Sequence, residues 1–134
     1  MERVNIYTRT SIRSPNEEPG NVIFILETQR DGKPYRKSFI EKVNGSWNGT
    51  ALKAVLLALK KLNYPCDLVI YTDNPYVEIN IERAKKWQKE GWGEHKYKEE
   101  WQQILKLLEP CTYKISSGDH IYTSEMLSDL KRQL

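Results

Sequence analysis

The stretch Leu68-Val69-Ile70-Tyr71-Thr72-Asp73-Asn74-Pro75 constrains the fold more than any other part of this chain. Its apolar opening is too short for a helix and reads as a buried strand. Thr72 and Asp73 fall at the strand's C-terminal end. Asn74 then offers a helix cap and Pro75 a first-turn residue that has no N–H to waste. A strand running directly into a capped helix is half of an α/β crossover, and open α/β sheets keep their ligands at the carboxyl ends of such strands. Asp73 therefore stands where chemistry is expected. Further on, Lys85, Lys86 and Lys89 interleave with Trp87 and Trp92, and His95 follows. A basic, aromatic arm downstream of a strand-end acid points to phosphate chemistry or nucleic-acid binding.

The preceding segments supply the rest of a sheet. Arg3–Thr8 alternates, with Val4, Ile6 and Thr8 on one face. Thr10–Gly20 is polar, holds two prolines and reads as a loop. Asn21–Arg30 and Lys33–Lys42 flank the turn signal Asp31-Gly32, so they read as a hairpin. Within Thr50–Leu62, Leu52, Val55, Leu56 and Leu59 recur at helical spacing. Strand, helix, strand in that order implies a right-handed crossover and parallel pairing. After the helix at Pro75, Lys86–Lys98 reads as a loop around Gly91 and Gly93. Tyr97–Glu109 then carries Trp101, Ile104, Leu105 and Leu108 on one stripe and is stopped by Pro110. Thr112–Ile115 reads as a last strand, and Thr123–Leu134 as a terminal helix capped by Thr123 or Ser124. The predicted order is β-β-β-α-β-α-α-β-α, an α/β fold with a five-stranded mixed sheet, three antiparallel strands and then parallel ones, flanked by helices.

At 134 residues the chain is expected to form a single domain over residues 1–134. With 29% charged and 39% hydrophobic residues it has the composition of a folded globule rather than a disordered segment. No apolar run approaches the roughly 20 residues of a membrane helix. MERVNIYTRT lacks a signal-peptide core, so a cytoplasmic location is expected. The net charge of +3 permits a nucleic-acid partner without requiring one. Cys66 and Cys111 each precede a predicted strand; two cysteines make no disulfide framework, and free thiols are expected. No cysteine and histidine cluster has zinc-ligand spacing.

This order, with these local sequences, resembles the ribonuclease H family over about Arg3–Leu130. VNIYTRTSI is similar to that family's first strand, ALKAVLLALKKL to its first helix and VIYTDNPYV to its strand-and-cap segment. RAKKWQKEGW is similar to the basic handle with which bacterial members grip the hybrid's DNA backbone. The resemblance implies a ribonuclease H-like fold and an activity that cuts the RNA strand of RNA–DNA hybrids. It also implies four carboxylates holding two Mg²⁺ ions, which activate water and stabilise the leaving oxygen. Of those four positions only Asp73 keeps its acid. The others correspond to Arg9, to Ala51, and to Ser128, or to Asp129 if the alignment slips by one. Mg²⁺ is held by carboxylates and phosphates and sheds water reluctantly. A permanent guanidinium at Arg9 would stand where a cation belongs. An ion pair between Arg9 and Asp73 is therefore expected in place of the metals.

Each of these residues also has a plain structural account. Asp73 suits a strand-end cap, and Lys85, Lys86 and Lys89 suit a solvated helix face. Trp87 and Trp92 suit a core, and His95 an exposed loop. Asp119 and His120 suit a turn, although His120 precedes a helix start where anions bind. Glu125 suits the first turn of a helix, where its charge complements the dipole. Three functions follow. The leading one is a catalytically degenerate ribonuclease H-like protein that binds RNA–DNA hybrid or double-stranded nucleic acid through Lys85, Lys86, Trp87, Lys89, Trp92 and His95, with no cofactor. The alternatives are an active enzyme whose Mg²⁺ site is rebuilt around Asp73 with Glu125 or Asp129, and a protein-interaction module reusing the fold. No membrane partner is implied.

Overall fold

A computed structural model describes residues 1–134. The elements are β1 (Glu2–Thr10), β2 (Glu18–Arg30), β3 (Lys33–Gly45), α1 (Trp47–Leu59), β4 (Cys66–Thr72), α2 (Pro75–Lys89), α3 (Lys98–Leu108), β5 (Thr112–Ser117) and α4 (Thr123–Lys131), in the predicted order. One sheet runs β3-β2-β1-β4-β5. Its first three strands pair antiparallel and β1-β4-β5 pair parallel. At the β2–β3 hairpin, Asp31 and Gly32 take φ of 52° and 75°. The tight turn that follows the sheet twist needs this left-handed pair.

The strand alternation sorts side chains onto two faces. Val4, Ile6, Phe24, Leu68 and Ile70 join α1, α2 and α3 in the main core, with Trp101 wholly buried at its centre. Tyr7, Ile23 and Ile25 point the other way, where Met126 and Leu130 of α4 cover them. Tyr7 and Tyr71 are register partners in β1 and β4. Arg9 and Asp73, two residues further along each chain, therefore share the α4 face at the carboxyl end of the parallel strands.

Local chemistry moves several boundaries from their predicted places. Strand β2 begins at Glu18, inside the expected loop. Helix α1 begins at Trp47 because the Ser46 hydroxyl accepts the Gly49 N–H at 3.1 Å and caps the end. Asn74 caps α2 as expected, accepting the Tyr76 N–H at 2.7 Å. Helix α2 continues to Lys89, so Lys86 and Lys89 lie on the helix with Lys85 and not in the expected loop. Neither Thr123 nor Ser124 caps α4; the Thr123 hydroxyl instead accepts the His120 N–H at 2.9 Å. No helix is long and apolar enough to cross a membrane. Cys66 and Cys111 are free and adjacent, the Cys66 N–H lying 3.5 Å from Cys111 Sγ.

Candidate functional site

Asp73 leaves β4 with its side chain only 5% exposed, and its Oδ2 lies 2.9 Å from Arg13 Nη2. The same oxygen accepts the Thr10 N–H at 3.3 Å. The expected partner, Arg9, is not the one that pairs. Ile12 is buried and its N–H bonds the Thr10 hydroxyl at 3.1 Å, which turns the chain tightly and brings Arg13 back over the strand end. The Arg13 guanidinium also lies 5.2 Å above the Trp47 ring, so an aromatic face and a carboxylate hold it together. Arg9 stays half-buried beside the pair, and its Nε is buried without a hydrogen-bond partner.

The electrostatics follow from that crowding. Burial pushes the Asp73 carboxyl above the usual carboxylate range, against the pull of Arg13, the Thr10 N–H and Arg9. Burial, and then Arg13, lowers the Arg9 guanidinium from its ordinary value, while Asp73 and Asp119 pull it back up. His120, close to Tyr7 and Tyr71, is held below the usual imidazole value by burial and by Arg9. Its Nδ1 accepts the Tyr122 N–H at 3.1 Å, which fixes the ring.

The remaining candidate acids lie elsewhere. Ala51 is fully buried in the main core and carries no donor atom. Ser128 is exposed, and Asp129 pairs with Arg132 one turn on at 3.1 Å. Glu125 makes a two-pronged contact with Arg36, at 2.6 and 2.8 Å. Arg36 is level with Glu27 and Asn5 in the sheet, four residues back from Arg9, or about 13 Å at strand rise. Of α4, Leu127, Leu130 and Lys131 share a cavity with Arg9 and Arg13, whereas Ser128 and Asp129 do not line it. Nowhere do three His, Cys, Asp or Glu side chains converge.

Mg²⁺ therefore does not fit these residues. Asp73 Oδ1 is the one buried carboxylate oxygen there without a donor, and a divalent ion bound to it would share its surroundings with two guanidiniums.

The arm is also arranged differently from its expected form. Trp92 is 6% exposed, belongs to the main core and adopts φ 72°, a strained value for a bulky residue. Trp87 is half-buried, stacked on His95 at 4.1 Å and edge-on to Trp101. Lys85 bonds Glu82 at 3.2 Å and lies over Tyr113, and Lys86 is 3.9 Å from Glu90. Lys85 and Lys89 border a cavity of about 850 Å³ between α2, α3 and β5. That cavity is remote from Asp73, since the fifteen residues of α2 span about 22 Å. The lysines offer charge to a partner; Trp92 is buried, and Trp87 is half-buried with one face stacked on His95.

Sequence reasoning missed Arg13 and a second buried carboxylate. Glu27 is 4% exposed and accepts from Asn5 at 3.1 Å, from Tyr7 at 3.3 Å and from the Tyr122 hydroxyl. The available signal was the place of Glu27 on an inward position of the longest apolar strand.

A mixed sheet of this order, with three helices on one face, one on the other and an acid closing the central parallel strand, defines the ribonuclease H-like fold. The RNase H family matches residues 1–121, and the chain belongs to it. A ribonuclease H of Caldicellulosiruptor saccharolyticus is 36% identical over 115 residues, covering 81% of this chain and 77% of that protein. One of Clostridium botulinum is 31% identical over 123 residues, covering 85% and 80%. Among solved structures, LC9-RNase H1, a type 1 enzyme with the type 2 active-site motif, superposes with TM-score 0.78 at 18% identity, over 100% of this chain and 74% of that one. A foamy viral protease-reverse transcriptase in complex with dsDNA superposes with TM-score 0.73 at 19% identity, over 97% and 90%. At such identities the superpositions speak for the fold alone.

Proposed function

We propose that this chain binds RNA–DNA hybrid or double-stranded nucleic acid as one domain, in the cytoplasm, without cutting it by two-metal hydrolysis. The observation that carries this reading is the Arg13–Asp73 pair beside Arg9. Fixed cations occupy the surroundings of the lone strand-end acid, Ala51 and Ser128 bring no further acid, and Asp129 is paired with Arg132. A site with one compensated anion has no charge with which to gather two magnesium ions. Family membership supports the nucleic-acid partner, and the exposed Lys85, Lys86 and Lys89 supply charge for a backbone. Binding of this kind needs no cofactor.

Affinity for a hybrid duplex should fall with salt and weaken when Lys85, Lys86 and Lys89 become alanine together. Affinity indifferent to both would remove the reading. The relatives named ribonuclease H favour a second one, hydrolysis in Mg²⁺ or Mn²⁺ with Glu125 or Asp129 recruited to Asp73. Cleavage of a labelled hybrid above the level of Asp73→Asn would establish it, and cleavage no greater than that control would reject it. Exposed tryptophans would strengthen the protein-interaction reading; Trp92 is buried and Trp87 is half-buried against His95, so they add nothing to it.

A further inference from the structure

We infer that the cavity between the end of β1 and helix α4 is a metal-free clamp for one phosphate group of a nucleic-acid backbone, with Arg9, Arg13 and Lys131 as its cations. This rests on the nucleic-acid reading above and assigns the phosphate a place. The cavity is small, about 180 Å³, the scale of an ionic group and not of a whole ligand. Arg9, Ser11, Arg13 and Lys131 bring its polar lining, and Leu127 and Leu134 form an apolar rim.

Three features select an oxyanion. Arg9 Nε is a buried donor with nothing to bond, and such a donor is costly to leave unmade. Arg13 spends one nitrogen on Asp73 and is 40% exposed, so the rest of its planar fork is free to donate. The Ser11 hydroxyl accepts the Asn21 N–H at 2.9 Å and keeps its own proton to give. Against these stand two anions, Asp73, already matched by Arg13, and Asp119, which acts on Arg9 without bonding it. The lining itself holds three cationic side chains and no Asp or Glu, which favours an anion. Leu127 and Leu134, both exposed, suit the sugar on either side of it.

Two probes test the clamp in EDTA. In the first, inorganic phosphate is titrated against the whole chain while the arginine Nε–Hε NMR signals are followed. The Arg9 signal should shift saturably, with affinity about tenfold weaker in Arg13→Gln, the size expected for a charge-assisted bond. In the second, hybrid-duplex affinity is measured against salt. Arg9→Gln, Arg13→Gln and the fully exposed Lys131→Ala should each lower the salt slope by about 1. Lys131 is exposed at the end of α4, so Lys131→Ala tests the clamp with little demand on folding, and thermal melts of all three variants check that they are folded. An Arg9 signal indifferent to phosphate, or hybrid binding untouched by all three variants, overturns the clamp. In the second case the nucleic-acid reading survives; a phosphate shift with no hybrid binding overturns that reading instead and leaves an oxyanion site.

Discussion

Arg13 Nη2 and Asp73 Oδ2 stand 2.9 Å apart across the end of the parallel strands, yet burial still holds the carboxyl above the usual carboxylate range. Its folded value thus exceeds its unfolded one, near 3.9. Such a group stabilises the fold fully only below the unfolded value, and that contribution is lost as pH rises through the folded one. Asp73→Asn should therefore melt at higher temperature than the wild type at pH 7, with the gap closing near pH 3. Calorimetry at both values measures it; a lower melting temperature at pH 7 would mean that the pair outweighs desolvation.

His120 has the opposite sign. Its folded value lies below the unfolded one, near 6.5, because burial and Arg9 disfavour the imidazolium while Asp119 partly offsets them. Its contribution is present above pH 6.5 and lost as pH falls through the folded value. Between pH 7 and pH 5 the wild type should lose stability more steeply than His120→Gln. Parallel melting curves across that range would refute this.

Glu27 is satisfied by three donors, so removing one differs from removing the acceptor. Tyr7→Phe should cost about 1 kcal/mol, the net worth of one hydrogen bond. Glu27→Ala leaves the Tyr7 hydroxyl and the Asn5 amide without their acceptor and should cost about 2–3 kcal/mol. Urea titration distinguishes the two, provided the slope with denaturant is unchanged.

Trp92 and Trp101 sit in the core, and truncating either to alanine should cost about 3–5 kcal/mol. Lys86→Ala, on the exposed side of α2, should stay within about 0.5 kcal/mol. Loss of nucleic-acid binding in Trp92→Ala would thus report unfolding, whereas loss in the lysine variants would report contact. Thermal melts of each variant decide which.

The adjacent thiols should differ in access. Cys66 is 1% exposed and burial pushes its thiol up, whereas Cys111 borders two surface cavities. Iodoacetamide should label Cys111 in the folded protein and Cys66 only on unfolding. Mass spectrometry after a short pulse reads the ratio; equal labelling would contradict the packing.

The strand order and the place of Asp73 were legible in the sequence because period-two alternation, Asp31-Gly32 and Asn74-Pro75 are local signals. Arg13 was not. Its pairing depends on how Ser11–Ser14 turns around the buried Ile12, and no periodicity encodes a turn of that kind. On α4 the residues that line the Arg9 cavity are Leu127, Leu130 and Lys131, while Ser128 and Asp129 turn away from it, because a helix advances about 100° per residue. The arm allowed two readings, a presented surface and a solvated helix face over a core. Lys85, Lys86 and Lys89 face water from α2, Trp87 packs half-buried against the core, and Trp92 is buried just beyond the helix end.

Ala51 has a consequence for engineering. Its methyl group lies in apolar packing with no exposed surface, so a glutamate introduced there alone would be a buried, unmatched charge, among the costliest of single changes. An acid at Arg9 alone would crowd against Asp73. A carboxylate cluster at this strand end thus calls for several changes made together.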